Sequence, residues 1–296
     1  MDYRFITSER LDDGRIARIM LNRPEARNAQ NRGLLTELND ALLEAEADDA
    51  VRVVILGGMG PSFSAGHDMG SPPAQEERAP GPGQNFSYQG YGATRKGAEA
   101  RSLQEWHFFF QNTLRWRNLR KITIAQVQGK CLAGGLMVAW ACDLIVAAEN
   151  AEFAEVVGAR LGMCGLEYFG HPWEFGARKA KELLLTGDSI GAEEAHRLGM
   201  VSKIFPNETL EEDTLTFARR IAALPSATSL LIKESVNQTV DNQGFYNSLQ
   251  ACFTLHQLNH SHWAEVNGGM AAAGPDEGLD RTGPIRPAVV TSPGGG

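Results

Sequence analysis

What this chain of 296 residues lacks narrows its function before any motif is read. No apolar run approaches the ~20 residues that span a bilayer, so no membrane-spanning helix is expected. The N-terminus, MDYRFITSER, sets charge where a signal peptide would carry an apolar stretch, and a cytoplasmic location is expected. Basic residues are outnumbered, 28 against 36 acidic, giving a formal charge of −8. That deficit excludes a broad basic surface for nucleic acid and leaves room only for a local pocket for a phosphorylated ligand. Cys131, Cys142, Cys164 and Cys252 form no CxxC pair, and are read as buried free thiols rather than disulfides.

What is present has the pattern of an α/β protein. Phe5–Arg10 and Arg15–Leu21 read as a hairpin around Leu11-Asp12-Asp13-Gly14. Leu34, Leu35, Leu38, Leu42 and Ala45 mark one face of a helix over Asn31–Ala47. Val51–Leu56, Ile122–Val127, Leu144–Ala147 and Met200–Phe205 read as strands, and Leu103–Leu119 as a helix. Another helix runs from Ala133-Gly134-Gly135 to Cys142, and Ala192–Leu198 stops at Gly199. Helices fill Glu208–Leu224, Ser226–Val240 and Phe245–Glu265. A strand–strand–helix unit recurs without a repeat in the sequence itself. The organisation expected is a core over 1–205, a helical C-terminal region over 206–266 and a disordered tail over 267–296. Residues 69–101, rich in Pro, Gly, Ser and Gln, are expected to form a mobile lid or insertion.

The stretch PSFSAGHDMG, Pro61–Gly70, follows an apolar strand and admits three chemistries. A phosphate loop needs G-x-G-x-x-G running into a helix, but Gly57-Gly58-Met59-Gly60 has the wrong spacing and meets Pro61. A nucleophile elbow needs glycine two residues either side of the serine; Gly66 suits Ser64, but Ser62 fills the other place. The third chemistry uses backbone N–H groups as an oxyanion hole, which small residues permit by letting the backbone approach a ligand. Its second donor is available in Val127–Gly135, where a strand leads through small residues into a helix N-terminus.

With these two loops in this order, the chain resembles the crotonase superfamily, the enoyl-CoA hydratases and isomerases, from Phe5 to His262. The resemblance rests on MLNRPEARNA (Met20–Ala29), FSAGHDM (Phe63–Met69), VQGKCLAGGLMVAWACDLIVAAENAEFA (Val127–Ala154) and LLLTGDSIGAEEAHRLGMVSKI (Leu183–Ile204). It implies a crotonase-like spiral of β-β-α units forming two stacked sheets, a homotrimer or dimer of trimers, and an acyl-CoA thioester as substrate. It implies no cofactor beyond the coenzyme A of that substrate and no metal. By matching position the oxyanion donors are the backbone N–H groups of His67 and Gly134. Ala26, Arg27 and Ala65 match positions that meet the nucleotide end of coenzyme A, and Ser64, Gly66 and Asp68 are grouped with them. Asp68 is expected to tie the loop down rather than exchange protons.

The resemblance fails at the acids. Family hydratases use two glutamates, but matching positions here hold Met137 and, after the second strand, Val157 or its neighbours Val156 and Gly158. Neither thioether nor alkyl groups move protons. Glu155 and Glu167 are the substitutes nearest in sequence, followed by Tyr168, His171 and Glu174, while Trp173 is expected in the core. The reaction is nominally enoyl-CoA hydration or isomerisation. The alternatives are a hydrolase or decarboxylase using Glu155 or Glu167, and a silent acyl-CoA-binding homologue. His256, His260 and His262 lie in HQLNHSH, the first two on one helical face at a metal-binding spacing. Without Cys or a paired acid beside them, they are read as a solvated or intersubunit face.

Overall fold

The computed structural model describes residues 2–77 and 97–267. The hairpin forms as expected: β1 (Ile6–Leu11) and β2 (Ile16–Leu21) pair antiparallel. Asp12, Asp13 and Gly14 turn the chain at φ of 56°, 55° and 85°. Aspartate tolerates this left-handed backbone because its short polar side chain bonds locally, and Asp12 holds Arg15 at 2.9 Å. Helix α1 (Arg32–Ala47) is capped by the Asn31 side chain, which accepts the Leu34 N–H, and buries the predicted apolar face.

Then come β3 (Val53–Gly58), α2 (Pro72–Glu76) and a helical run over 97–117. That run joins α3 (Gly97–Gln104), a π-helical segment (Glu105–Gln111) and α4 (Asn112–Arg117). The chain continues through β4 (Ile122–Val127), β5 (Lys130–Leu132), α5 (Gly134–Trp140), β6 (Leu144–Ala148) and β7 (Glu152–Ala154). Next are α6 (Val157–Leu161), α7 (His171–Phe175), α8 (Ala177–Thr186), β8 (Ser189–Gly191), α9 (Ala192–Leu198) and β9 (Lys203–Phe205). Helices α10 (Leu210–Ala222), α11 (Ser226–Asn242) and α12 (Phe245–Asn267) follow.

The first sheet has the order β1-β2-β3-β4-β6-β9, parallel from β2 onward. Every residue of β3 and β4 is buried, as strands covered on both faces require. One face sets Ile16, Val53, Ile55, Ile124 and Val146 against Ala218 and Ala222 of α10; the other packs on α1 and α5. Strands β2, β3, β4 and β6 each lead into a short piece of a second layer. There β5 and β7 pair parallel and β7 and β8 antiparallel, while single bridges join Gln30 to His67 and Ser64 to Cys131. This is the recurring strand–strand–helix unit expected from the sequence.

The structure also corrects several expectations. Strands β5, β7 and β8 were not legible, because three residues are too few to show alternation. Only Lys203–Phe205 of Met200–Phe205 is strand, and α5 ends at Trp140 rather than Cys142. All four cysteines are free, but Cys131 alone is fully buried and Cys164 is exposed. Trp173 is 39% exposed instead of lying in the core, its indole donating to Ser248 Oγ at 3.2 Å. Of the stretches read as lid and tail, residues 78–96 and 268–296 lie outside the described residues. Among the described residues no helix is long and apolar enough to cross a membrane.

Helix α11 is anchored by a buried charge pair. Lys233 Nζ donates to Asp143 Oδ2 and to Lys121 O, both at 3.0 Å, and Asp143 also accepts the Thr123 N–H at 2.8 Å. Burial pushes the Asp143 carboxyl above its ordinary range, and Lys233 opposes that rise. Lys233→Met leaves the carboxylate buried and unpaired. The expected loss is about 3–5 kcal/mol of unfolding free energy at pH 8, shrinking as the pH falls and Asp143 takes up a proton; urea unfolding at both pH values checks it.

Candidate active site

Two chain segments meet at the C-terminal ends of β3 and β4. Their close approach is enforced by hydrogen bonds: Phe63 N–H donates to Gln128 O at 2.9 Å, Ser64 N–H to Lys130 O at 3.1 Å, and Leu132 N–H to Ser64 O at 2.9 Å. Glycine makes room for the contact. A Cβ on Gly66, which also stands at φ +91°, would lie 2.8 Å from Leu132 O and 2.9 Å from the Gly134 nitrogen. On Gly134 it would meet the His67 ring at 2.7 Å, and on Gly135 it would meet Ser64 O at 2.7 Å. A side chain at Gly66 or Gly135 would part the loops, and one at Gly134 would displace the His67 ring.

The amide directions follow from the ladder. Gln30 N–H donates to Gly66 O at 2.8 Å and Asp68 N–H to Gln30 O at 3.0 Å, so the intervening His67 N–H faces the opposite edge, toward the start of α5. Gly134 is the first residue of α5, where a helix leaves its N–H groups without intrahelical acceptors. The peptide before it is turned by Ala133 at φ 48° and ψ −119°, a backbone that side chains seldom adopt. The Ala133 N–H bond to Ala154 O, 3.0 Å, holds that turn in place.

The other candidates divide by what their side chains do. The Ser64 hydroxyl is buried; it donates to Asn28 O at 2.8 Å and accepts from Gln30 Nε2 at 3.1 Å. Asp68 pairs with buried Arg23 at 2.8 Å and accepts the Ser71 N–H at 2.8 Å and the Ser71 hydroxyl. Burial raises the Asp68 carboxyl, but Ser71, Arg23 and Gly70 outweigh it and bring the pKa to about 2. Asp68 therefore ties the loop down. Ala26 and Ala65 are half-buried beside exposed Arg27, whose O accepts the Ala65 N–H at 2.9 Å.

Met137 is buried on α5 one turn after Gly134, and Val157 opens α6, so no carboxyl stands at either place. Glu167 instead comes to the loop from the segment before α7. Its Oε2 lies 3.3 Å from His67 Nε2, and the His67 ring stacks on Phe109 with centroids 3.8 Å apart. Burial would raise the Glu167 carboxyl, but His67 and His256 hold it below the ordinary glutamate range. Glu155 caps α6, accepting the Val157 N–H at 2.7 Å. Burial pushes its carboxyl up to about 7 against that bond, and nearby Glu167 adds to the rise.

The remaining substitutes lie elsewhere. His171 is fully buried with both ring nitrogens unpartnered, and burial takes its pKa down to about 3. Tyr168 and Glu174 line a separate cavity of about 640 Å³ beneath α11. Burial pushes Glu174 up to about 8. His256 contradicts the reading of a solvated histidine face: it is 3% exposed, with Nε2 3.6 Å from Glu167 Oε1. Sequence reasoning missed Phe109 and Glu105, which a helical pattern marks only as one more apolar and one more charged position.

A family model described as enoyl-CoA hydratase/isomerase matches residues 12–90 and 89–272. The chain is 62% identical over 296 residues to EchA13 of Mycobacterium tuberculosis, an enoyl-CoA hydratase by name, covering 99% of this chain and 93% of that protein. It is 35% identical over 235 residues to the mitochondrial enoyl-CoA hydratase of Pongo abelii, covering 78% of this chain and 72% of that one. A crystal structure from Mycobacterium smegmatis, named as an enoyl-CoA hydratase, superposes with a TM-score of 0.79 at 41% identity, covering 90% of this chain and 99% of the other.

Loop anchoring gives a pH-dependent test. A carboxyl held near 2 contributes stability that is present above its ordinary pKa of 3.8 and is lost as the pH falls through about 2. Asp68→Asn is expected to cost roughly 2 kcal/mol at pH 7, with the gap from wild type closing between pH 4 and pH 2; denaturant unfolding across that range reads it.

Proposed function

The chain belongs to the enoyl-CoA hydratase/isomerase family, and from that premise we propose that it is an acyl-CoA enzyme, nominally an enoyl-CoA hydratase, whose acid–base residue is Glu167. The His67–Glu167 contact of 3.3 Å carries this reading, because it sets a carboxylate beside the loop that receives the thioester. The His67 and Gly134 N–H groups donate to the thioester oxygen and stabilise the charge it gains as an enolate. Glu167 takes a proton from water as the hydroxyl oxygen bonds to C3, and returns a proton to C2 as the enolate collapses. Atoms balance: one water is added across one double bond. His67 steadies the carboxylate, and its stacking on Phe109 fixes the ring. Arg27, Ala26 and Ala65 meet the nucleotide end of coenzyme A at the rim.

The same reading gives a homotrimer or a dimer of trimers. The apolar side chains exposed along α11 and α12, among them Leu231, Ile232, Val236, Leu255 and Leu258, support association of subunits. A second reading, a silent acyl-CoA-binding homologue, is favoured by Met137 and Val157 standing where the acids would be.

Crotonyl-CoA absorbance separates the two. Glu167→Gln is expected to lower kcat by about 10²–10⁴ with KM little changed, because the carboxylate acts in the transition state. Unchanged rates in both Glu167→Gln and Glu155→Gln would remove both carboxyls from the chemistry. Binding of a non-reactive acyl-CoA without any loss of the enoyl signal at high enzyme concentration supports the silent homologue, and release of free thiol indicates a hydrolase.

A further inference from the structure

Behind the site, α12 brings two imidazoles to a carboxylate more than a hundred residues away in sequence. His256 and His260 lie one helical turn apart, and Glu105 opens the π-helical segment that faces them. His260 Nε2 is 3.2 Å from Glu105 Oε1, and His256 Nε2 is 3.7 Å from Glu105 Oε2. One potential ligand atom from each of the three residues can be chosen so that all lie within 4.8 Å of one another. The paired acid whose absence from the local sequence spoke against these histidines is supplied by the fold.

The tautomer of His256 is set by its surroundings. Its Nδ1 lies 2.9 Å from Gly165 O, a contact in which Nδ1 donates, so Nε2 is the ring nitrogen left to face the carboxylates and to ligate a metal by giving up its proton. That Nε2 is buried, has no hydrogen-bond partner and is aimed between Glu105 and Glu167, at 3.7 and 3.6 Å. These separations are too long for hydrogen bonds. They are close to the roughly 3.3 Å edge of a tetrahedron of 2.0–2.1 Å metal–ligand bonds. A backbone carbonyl on the far nitrogen of a ligating imidazole is the usual orienting contact. The Glu105 carboxylate is itself positioned by Gln257 Nε2 at 2.6 Å, with Arg101 Nε 3.9 Å from its other oxygen.

We propose that Glu105, His256 and His260 bind a divalent first-row transition-metal ion, with Zn²⁺ as the best match. Two imidazoles and one carboxylate form a donor set typical of zinc, whereas Mg²⁺ and Ca²⁺ take oxygen ligands. His256 Nε2 also lies 3.6 Å from Glu167 Oε1, so an ion held there would stand close to the carboxylate placed in the reaction. Closing the widest separation, 4.8 Å, to that tetrahedral edge requires about 1.5 Å of side-chain movement on metal binding.

The test uses the untagged full chain and no substrate, so its outcome is independent of the proposed activity. After metal is stripped with chelator, Zn²⁺ is titrated calorimetrically, bound metal is counted after dialysis, and Co²⁺ is followed by its visible absorption. One equivalent per chain, a raised melting temperature and Co²⁺ bands of a four-coordinate site are expected. Loss of outer-sphere partners alone lowers metal affinity roughly 10–100-fold, so His260→Gln and Glu105→Gln are each expected to weaken binding by at least about tenfold. His262→Gln, an exposed neighbour, leaves it unchanged. Less than stoichiometric retention by wild type, or equal affinity in wild type and His260→Gln, overturns the proposal and leaves a network of buried charges alone. Should His260→Gln fail to fold, Glu105→Gln and the wild-type Co²⁺ spectrum decide the question.

Discussion

The contact between the loop after β3 and the turn into α5 is the constraint from which the rest of the site follows. Gly66 and Gly135 bring two main chains so close that a methyl group at either would overlap backbone atoms, and one at Gly134 would overlap the His67 ring. The contact has structural and chemical consequences together. It carries the second sheet layer across the first, through the Ser64–Cys131 bridge. It also leaves the amides of His67 and Gly134 outside the ladder hydrogen bonds that occupy their neighbours. Buried N–H groups are nearly always paired, so donors that a tight loop leaves outside its ladder stand out from their neighbours.

Around this fixed point the ionisable groups lie away from the positions of Met137 and Val157. Helix α5 buries Met137 against the core, which favours packing and supplies no proton. A buried carboxylate lies instead on a segment without regular structure before α7, where Glu167 meets imidazoles from two directions. Desolvation alone would raise the pKa of a carboxyl so buried; the histidines reverse the sign. Glu155 lacks such partners, and its carboxyl stays near 7. Two glutamates close in sequence are thereby driven to opposite protonation behaviour by what surrounds them.

The C-terminal helices are part of this arrangement. Helix α12 places His256 against Glu167, and the π-helical segment turns Phe109 onto the His67 ring. A π turn widens the helix by one residue and shifts the following side chains to a new face, which is a common device at functional sites. Lys233 ties α11 to the start of β4 and to Asp143, so the helical region is held to the core by charge as well as by apolar contact.

How much of this was legible depends on the range over which each signal acts. The β1–β2 hairpin, the α1 face, β4 and α9 were readable because alternation, helical spacing and turn residues act within a few positions of themselves. The loop FSAGHDM and the glycine pair at Gly134-Gly135 were readable for a related reason: a close backbone approach admits only small residues, and this marks the sequence locally. Strands β5, β7 and β8 were not, since three residues carry no period. The burial of His256, the role of Gly165 O in fixing its tautomer and the meeting of Glu105 with His260 were invisible as well. The sequence by itself determined the local elements and the two small-residue loops, because those are set by backbone sterics and short-range periodicity. Only the tertiary structure decided which ionisable side chains share a site, because electrostatic partnership depends on distance in space, and folding brings together groups that the chain keeps far apart.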